Sequence, residues 1–557
     1  MMRFLDSIEQ PLVEACYVMG KNNTYERVEM SSFLEMTGGV DPFVIPGQTN
    51  VDDPRIQALL KIRFVAGFKA RPGLPPCDLA SLPDIVTLGE DISSVTFRTM
   101  CSEFVLVAIQ GGLYTPPTWT RTSQDPKNPW IFRSQVNLSL SVMEEPDIKN
   151  LPIDVQEKIA EIRNLSGSGF HIQQLLFDLA SANLWDMPHI EGFDESSAAH
   201  VLLQTYFLTA YVNEMKKDGD LVLGCSAVVT EPSVSTLTLT GFNFNVNPYM
   251  GANGLPIPQQ GKDESNCASL NYLCAANHNP LPPPRRFPWN WVNVSEMNQQ
   301  DGVISINRNS LANHLKVKIG PLVPEFCVRP WVNCDVSHKS GAVSFDSEFY
   351  KNQLPTSTTL PGSGATILTF AYSSKDQDQA GVNGCLGKIE ATSTYNLTVV
   401  VSGTCVTVTQ DQVLHVYLKK LATSKSGNVV KRTVVDIYSI GVDPNGALVL
   451  ALADSKSADD PDKIATDKFQ DFWTHFNSIA QKFTNNAIQS FKELTDIPLS
   501  TLQNYIFPAG KTFVFRDARF SDHQDLIANI GYADPKAPVV KTVPRALNLV
   551  KTSYWRQ

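Results

Sequence analysis

Asp522, His523 and Asp525 form a compact acid–histidine cluster, and a histidine between carboxylates is what a general base would need. The cluster falls where two strand-like runs meet, so a solvated turn accounts for the same residues. His189, Asp194 and His200, with Asp186 nearby, are metal-ligating types. Pro188 and the start of a helix scatter their directions, which argues against a shared ion. Gly510-Lys511-Thr512 ends like a phosphate-binding loop, but the upstream glycine such a loop requires is replaced by Tyr505. Ser166-Gly167-Ser168-Gly169 lacks the pattern and the leading strand of a nucleophile elbow. Leu360-Pro361-Gly362-Ser363-Gly364 is a glycine loop without a lysine. Glu144 and Glu145 are adjacent, so on a strand they would face opposite sides. The ten cysteines are scattered, and the Cys267/Cys274 and Cys327/Cys334 spacings are too wide for a zinc knuckle. The chain therefore offers no catalytic residue to name, and neither a metal nor another cofactor is expected.

The elements that would position any site are more informative. Phe469, Phe472, Trp473, Phe476, Ile479, Phe483, Ile488 and Phe491 mostly recur every third or fourth residue. This is one apolar face of a helix. The spacing predicts a helix over 465–494, about 45 Å long, stopped before Pro498. Strands are expected at 511–520 and 524–532. A second helix is expected over 195–217, begun by Ser196 and Ser197 and ended at Gly219, with Tyr206 on its periodic face. The candidate ligand-contacting residues are Phe472, Phe476, Phe483 and Tyr206; ordinary core packing explains the same spacing.

Alternating patterns predict strands at 93–109, 131–143, 170–184, 221–229, 233–245, 366–372, 389–401, 404–421, 430–442 and 446–453. Asp443-Pro444-Asn445-Gly446 marks a hairpin. A short helix is expected over 154–164, and an acidic loop over 454–462. The prolines between 249 and 292 predict a long loop or connector. The expected organisation is a β-rich half at 1–248, that connector, and a second half at 293–557. The fold class is α+β, with mostly antiparallel, strongly curved sheets each wrapped around a long helix.

Charge narrows the partners. The net charge is −10 and charged residues make up 18 % of the chain, which argues against nucleic acid. The first residues, MMRFLDSIEQPLVEACYVMG, carry no apolar core of a secretory signal. No stretch is long and apolar enough for a transmembrane segment. A cytoplasmic location is expected, and peripheral membrane contact and the identity of any protein partner stay open.

The long aromatic helix, its proline stop and the run from Tyr505 to Phe515 resemble the end of a tubular lipid-binding (TULIP) domain. The continuation from Asp517 to Tyr532 is most similar to the TULIP-type proteins encoded beside clostridial neurotoxins, and the segment from Phe170 to Val229 resembles them more weakly. The specific part covers about a fifth of the chain. The resemblance implies a curved sheet around a long helix and a lipid or other apolar ligand between them. It transfers no catalytic residue. Two alternatives stand beside it: an enzyme, such as a cyclase or isomerase, acting on a hydrophobic substrate, and a toxin-accessory or interaction protein.

Overall fold

The computed structural model describes residues 12–532, except 79–80, 89–90, 113–114, 150, 167–169, 192, 194, 218–221, 230–236, 258–260, 362–363, 383, 463–469, 485–486, 492–504 and 509–510. Every strand pair among the described residues is antiparallel, and the class is α+β with curved sheets. A five-stranded sheet runs in the order Tyr25–Val28, Val13–Met19, Phe64–Pro72, Cys101–Gly112, Thr115–Ser123. A six-stranded sheet runs Ile506–Pro508, Val222–Val229, Phe170–Asp186, Phe132–Val142, Ser94–Thr99, Val86–Leu88. The helical stretch Ala198–Leu202, a π turn at Leu203–Phe207 and Leu208–Lys217 pack between them. Phe207, 0 % exposed, meets Phe68, Phe104 and Phe132 there.

The run 93–109 is two strands in two different sheets. Thr99, Met100 and Cys101 are all buried, so alternation fails at this point. The Met100 carbonyl accepts from Tyr211 Oη at 3.1 Å, which ties the corner to the helix. The 249–292 stretch is also not all loop. Ser269–Ala276, a stretch free of proline, pairs antiparallel with Leu239–Asn247, with one register shift between Leu239 and Gly241. A short helix, Lys262–Asn266, precedes it.

The second long sheet has the order Thr356–Thr359, Thr366–Val382, Cys385–Ser402, Cys405–Lys420, Thr423–Val442, Leu448–Asp459. Its longest strand has 20 residues, about 65 Å of extended chain. Asp443 and Gly446 close the expected hairpin, with Gly446 at φ 77°. The expected acidic loop is instead mostly strand, because Leu448–Asp459 is an edge strand with its outer end in water. Several elements had no expectation, and two of them pack on the long sheet. One is the hairpin Arg329–Val336/Val343–Tyr350, whose Val332 and Cys334 amides donate to Asp376 and Asp378 of the sheet, both at 2.8 Å. The other is the helix Arg308–Ile319.

The expected helix over 465–494 is shorter than its spacing implied. Residues 465–469 lie outside the described part, and the helix spans Gln470–Thr484. Residues 487–491 are not helical. The five-residue step from Phe483 to Ile488 is where the helical repeat fails. Phe483 joins one core cluster, whereas Ile488 and Phe491 join another.

Candidate functional site

The inner face of the long sheet is where the rings expected to contact a ligand, Phe472, Phe476 and Phe483, are packed. Along Cys405–Lys420 the inward positions read Val406, Val408, Gln410, Gln412, Leu414, Val416 and Leu418, each buried. Neighbouring strands repeat the pattern, with two apolar ends and a polar middle. One end contains Ile389, Ala391, Leu414, Val416 and Leu418. The other contains Leu397, Val399, Val401, Val408 and Ile440. Between them runs a band of Ser393, Tyr395, Gln410, Gln412, Asp436 and Tyr438, none more than 1 % exposed.

The helix Gln470–Thr484 covers the first apolar end. Phe472, Phe476, Ile479 and Phe483 face Val332, Ile389, Ala391, Leu414 and Val416. Phe483 meets Phe349 edge to face, with centroids 5.0 Å apart. Full burial of such side chains stabilises by roughly 1.5–3 kcal/mol each. Lys482 ties the helix to the hairpin, its Nζ donating to Asp346 Oδ1 at 2.6 Å and to the Ser347 carbonyl at 3.0 Å.

The segment 487–491 covers the polar band, and the band replaces a helix as its hydrogen-bonding partner. The Ile488 amide donates to Gln412 Oε1 at 3.2 Å, and the Phe491 amide to Asp436 Oδ2 at 3.0 Å. Gln410 Nε2 donates to the Gln489 carbonyl at 2.8 Å, and Tyr438 Oη to the Phe491 carbonyl. Tyr395 Oη donates to Gln410 Oε1, Ser455 Oγ to Asp436 Oδ1, and Gln412 Nε2 to the Phe326 carbonyl. A buried backbone needs partners, and side chains fixed on a sheet supply them. This is the physical reason that helical geometry is not needed here. The Oγ atoms of Ser393 and Ser490 are buried and find no partner among the described residues.

Phe472, Phe476 and Phe483 thus share one layer. Tyr206 does not join them: it is 38 % exposed on the other helix and stacks on Tyr17 at 5.2 Å. The polar band was missed, although polar residues at inward positions of a period-two run, Gln410 and Gln412, are its sequence signal. The acid–histidine cluster lies in an exposed turn, where Asp525 Oδ1 accepts from the Arg308 amide at 2.8 Å. Asp186 is paired with Arg133, and Asp194 lies outside the described residues. No group of three metal-ligating side chains occurs among the described residues. Burial pushes the thiols of Cys225 and Cys327 up to about 12, so neither is a thiolate nucleophile at neutral pH.

An open cleft of about 390 Å³ lies elsewhere, lined by Asp84, Val86, Leu88, Ser265, Asn266 and Ala268, none of them on the long sheet. No helix among the described residues is long and apolar enough to cross a membrane.

No family model matches the chain, and no curated protein matches its sequence. Among solved structures it is similar to P47 from Clostridium botulinum A2, with 8 % identity over 93 % of this chain and 96 % of that one, at a TM-score of 0.38. It is also similar to a lipopolysaccharide binding protein, with 10 % identity over 95 % of this chain and 100 % of that one, at a TM-score of 0.24. Scores this low carry no argument about family or function.

Proposed function

We propose that the protein binds a lipid or another apolar small molecule on the inner face of its long sheet, with residues 470–484 and 487–491 as the cover. The observation that carries the reading is the layer beneath the helix, where Phe472, Phe476, Ile479 and Phe483 meet aliphatic side chains of the sheet. An acyl chain entering there would exchange with phenyl rings at little cost in polarity. The polar band beside it would hold a headgroup, with the Ser393 and Ser490 hydroxyls among its candidate contacts. On this reading 1–248 and 293–557 are two units of one plan, Phe472, Phe476 and Phe483 line the site, and Tyr206 stands apart from it. Native mass spectrometry of gently purified protein is expected to show a bound small molecule, and a fluorescent fatty acid is expected to be taken up. Absence of both would sink the reading.

A further inference from the structure

We infer that an exposed aromatic tip, made by residues 249–257 and 285–291, docks this protein on the interfacial layer of an anionic lipid bilayer. This surface lies apart from the long sheet and does not depend on the proposed ligand.

Phe287, Trp289 and Trp291 form a mutual cluster with ring centroids 5.2, 5.3 and 5.6 Å apart. Trp289 is 47 % exposed and Leu255, on the companion loop, is 61 % exposed. Such side chains in water are unfavourable unless something covers them. The tip is also rigid. Buried Asn245 donates through Nδ2 to the Arg285 carbonyl, and Asn247 Oδ1 accepts from the Phe287 amide at 2.8 Å. Asn290 joins the loops, accepting from the Met250 amide at 2.7 Å and donating to its carbonyl at 2.8 Å. Pro282, Pro283, Pro284 and Pro288 stiffen the approach. Ordering the aromatics on contact therefore costs little further entropy.

Charge selects the occupant. The chain carries a net −10, yet 248–257 has no charged side chain and 279–293 has only Arg285 and Arg286. Tryptophans beside arginines suit the boundary of an anionic membrane, where indoles sit at headgroup depth and guanidinium groups meet phosphates. Trp291 meets both Phe287 and Trp289 at 79°, and Phe287 and Trp289 are tilted by 42°. That geometry makes a wedge and not the flat platform on which a sugar stacks.

The test is co-sedimentation of the full chain with phosphatidylcholine vesicles, with and without phosphatidylserine, in parallel with tryptophan fluorescence. The expected result is binding to the phosphatidylserine vesicles, weakened about tenfold by Trp289→Ser and by the Arg285→Gln/Arg286→Gln pair. Trp289 is half in solvent, and an unchanged melting temperature confirms that the variant is folded. A second readout needs no variant, since brominated lipid in the anionic vesicles is expected to quench the native fluorescence. Wild-type protein that stays in the supernatant with both vesicles, or variants that sediment as well as wild type, would overturn the inference. So would absence of quenching. Capture of a protein partner by the tip, with vesicles leaving the fluorescence unchanged, would likewise overturn it and assign the surface to that partner.

Discussion

Two neighbouring stretches cover the same sheet by opposite means. Gln470–Thr484 is a helix that keeps its backbone bonds to itself and offers apolar side chains, three of them rings, to the sheet. Residues 487–491 give up helical bonds and are held by Gln410, Gln412, Asp436 and Tyr438. The apolar contact has no directional demand, so its rings can shift or be replaced while the sheet stays intact. The polar contact has fixed donors and acceptors and sets where the chain must lie. The difference separates a contact that tolerates repacking from one that fixes the path of the chain.

The comparison breaks most readily at the helix. Phe483→Ala removes a fully buried ring and is expected to lower stability by about 3–5 kcal/mol in urea titration. A loss well under 1 kcal/mol would mean that the layer is loosely packed. Asp436→Ala leaves the buried Phe491 amide without an acceptor and is expected to cost about 2–3 kcal/mol. Hydrogen exchange at 487–491 should quicken while the 470–484 helix stays protected; equal loosening of both would show that the two covers act as one.

Gln412→Leu is expected to cost less, about 1–2 kcal/mol, because leucine fills part of the lost volume while the Ile488 amide loses its partner. The smallest effect belongs to the tie at the helix end. The Lys482 ammonium, helped by the Ser347 amide, holds the Asp346 carboxyl below its ordinary range. This carboxylate therefore stabilises the fold above the unfolded carboxylate range, and the contribution is lost as pH falls through the lowered folded value. The pair is largely solvent-exposed, so Lys482→Met should cost well under about 1 kcal/mol. The cost should fade at high salt and at acid pH, and melts across pH with and without salt will read it.

The sequence showed the β-rich class, most long strands and the Asp443–Gly446 hairpin, because period-two runs and turn residues report local geometry. It showed that Phe472, Phe476 and Phe483 lie on one helical face for the same reason. It hid where that helix stops. The signal to continue, Ile488 and Phe491, is apolar spacing, whereas the signal to stop is a set of side chains on strands some 50–80 residues earlier in the chain. The corner at Met100 was hidden because two adjoining strands of different sheets read as one run. The strand Ser269–Ala276 was hidden by the prolines on either side of it. The polar band was written openly in Gln410 and Gln412, but its meaning depends on what crosses above it.

The short strand Ile506–Pro508 completes the edge of a sheet whose other members all lie before residue 230, and Ser226 Oγ donates to the Tyr505 carbonyl at 2.9 Å. During synthesis the Val222–Val229 strand must therefore wait, with an open hydrogen-bonding edge, until nearly 280 further residues have emerged. For that interval the nascent chain carries a template for wrong pairing. A ribosome stalled anywhere in the long sheet would release a protein whose first half is unfinished.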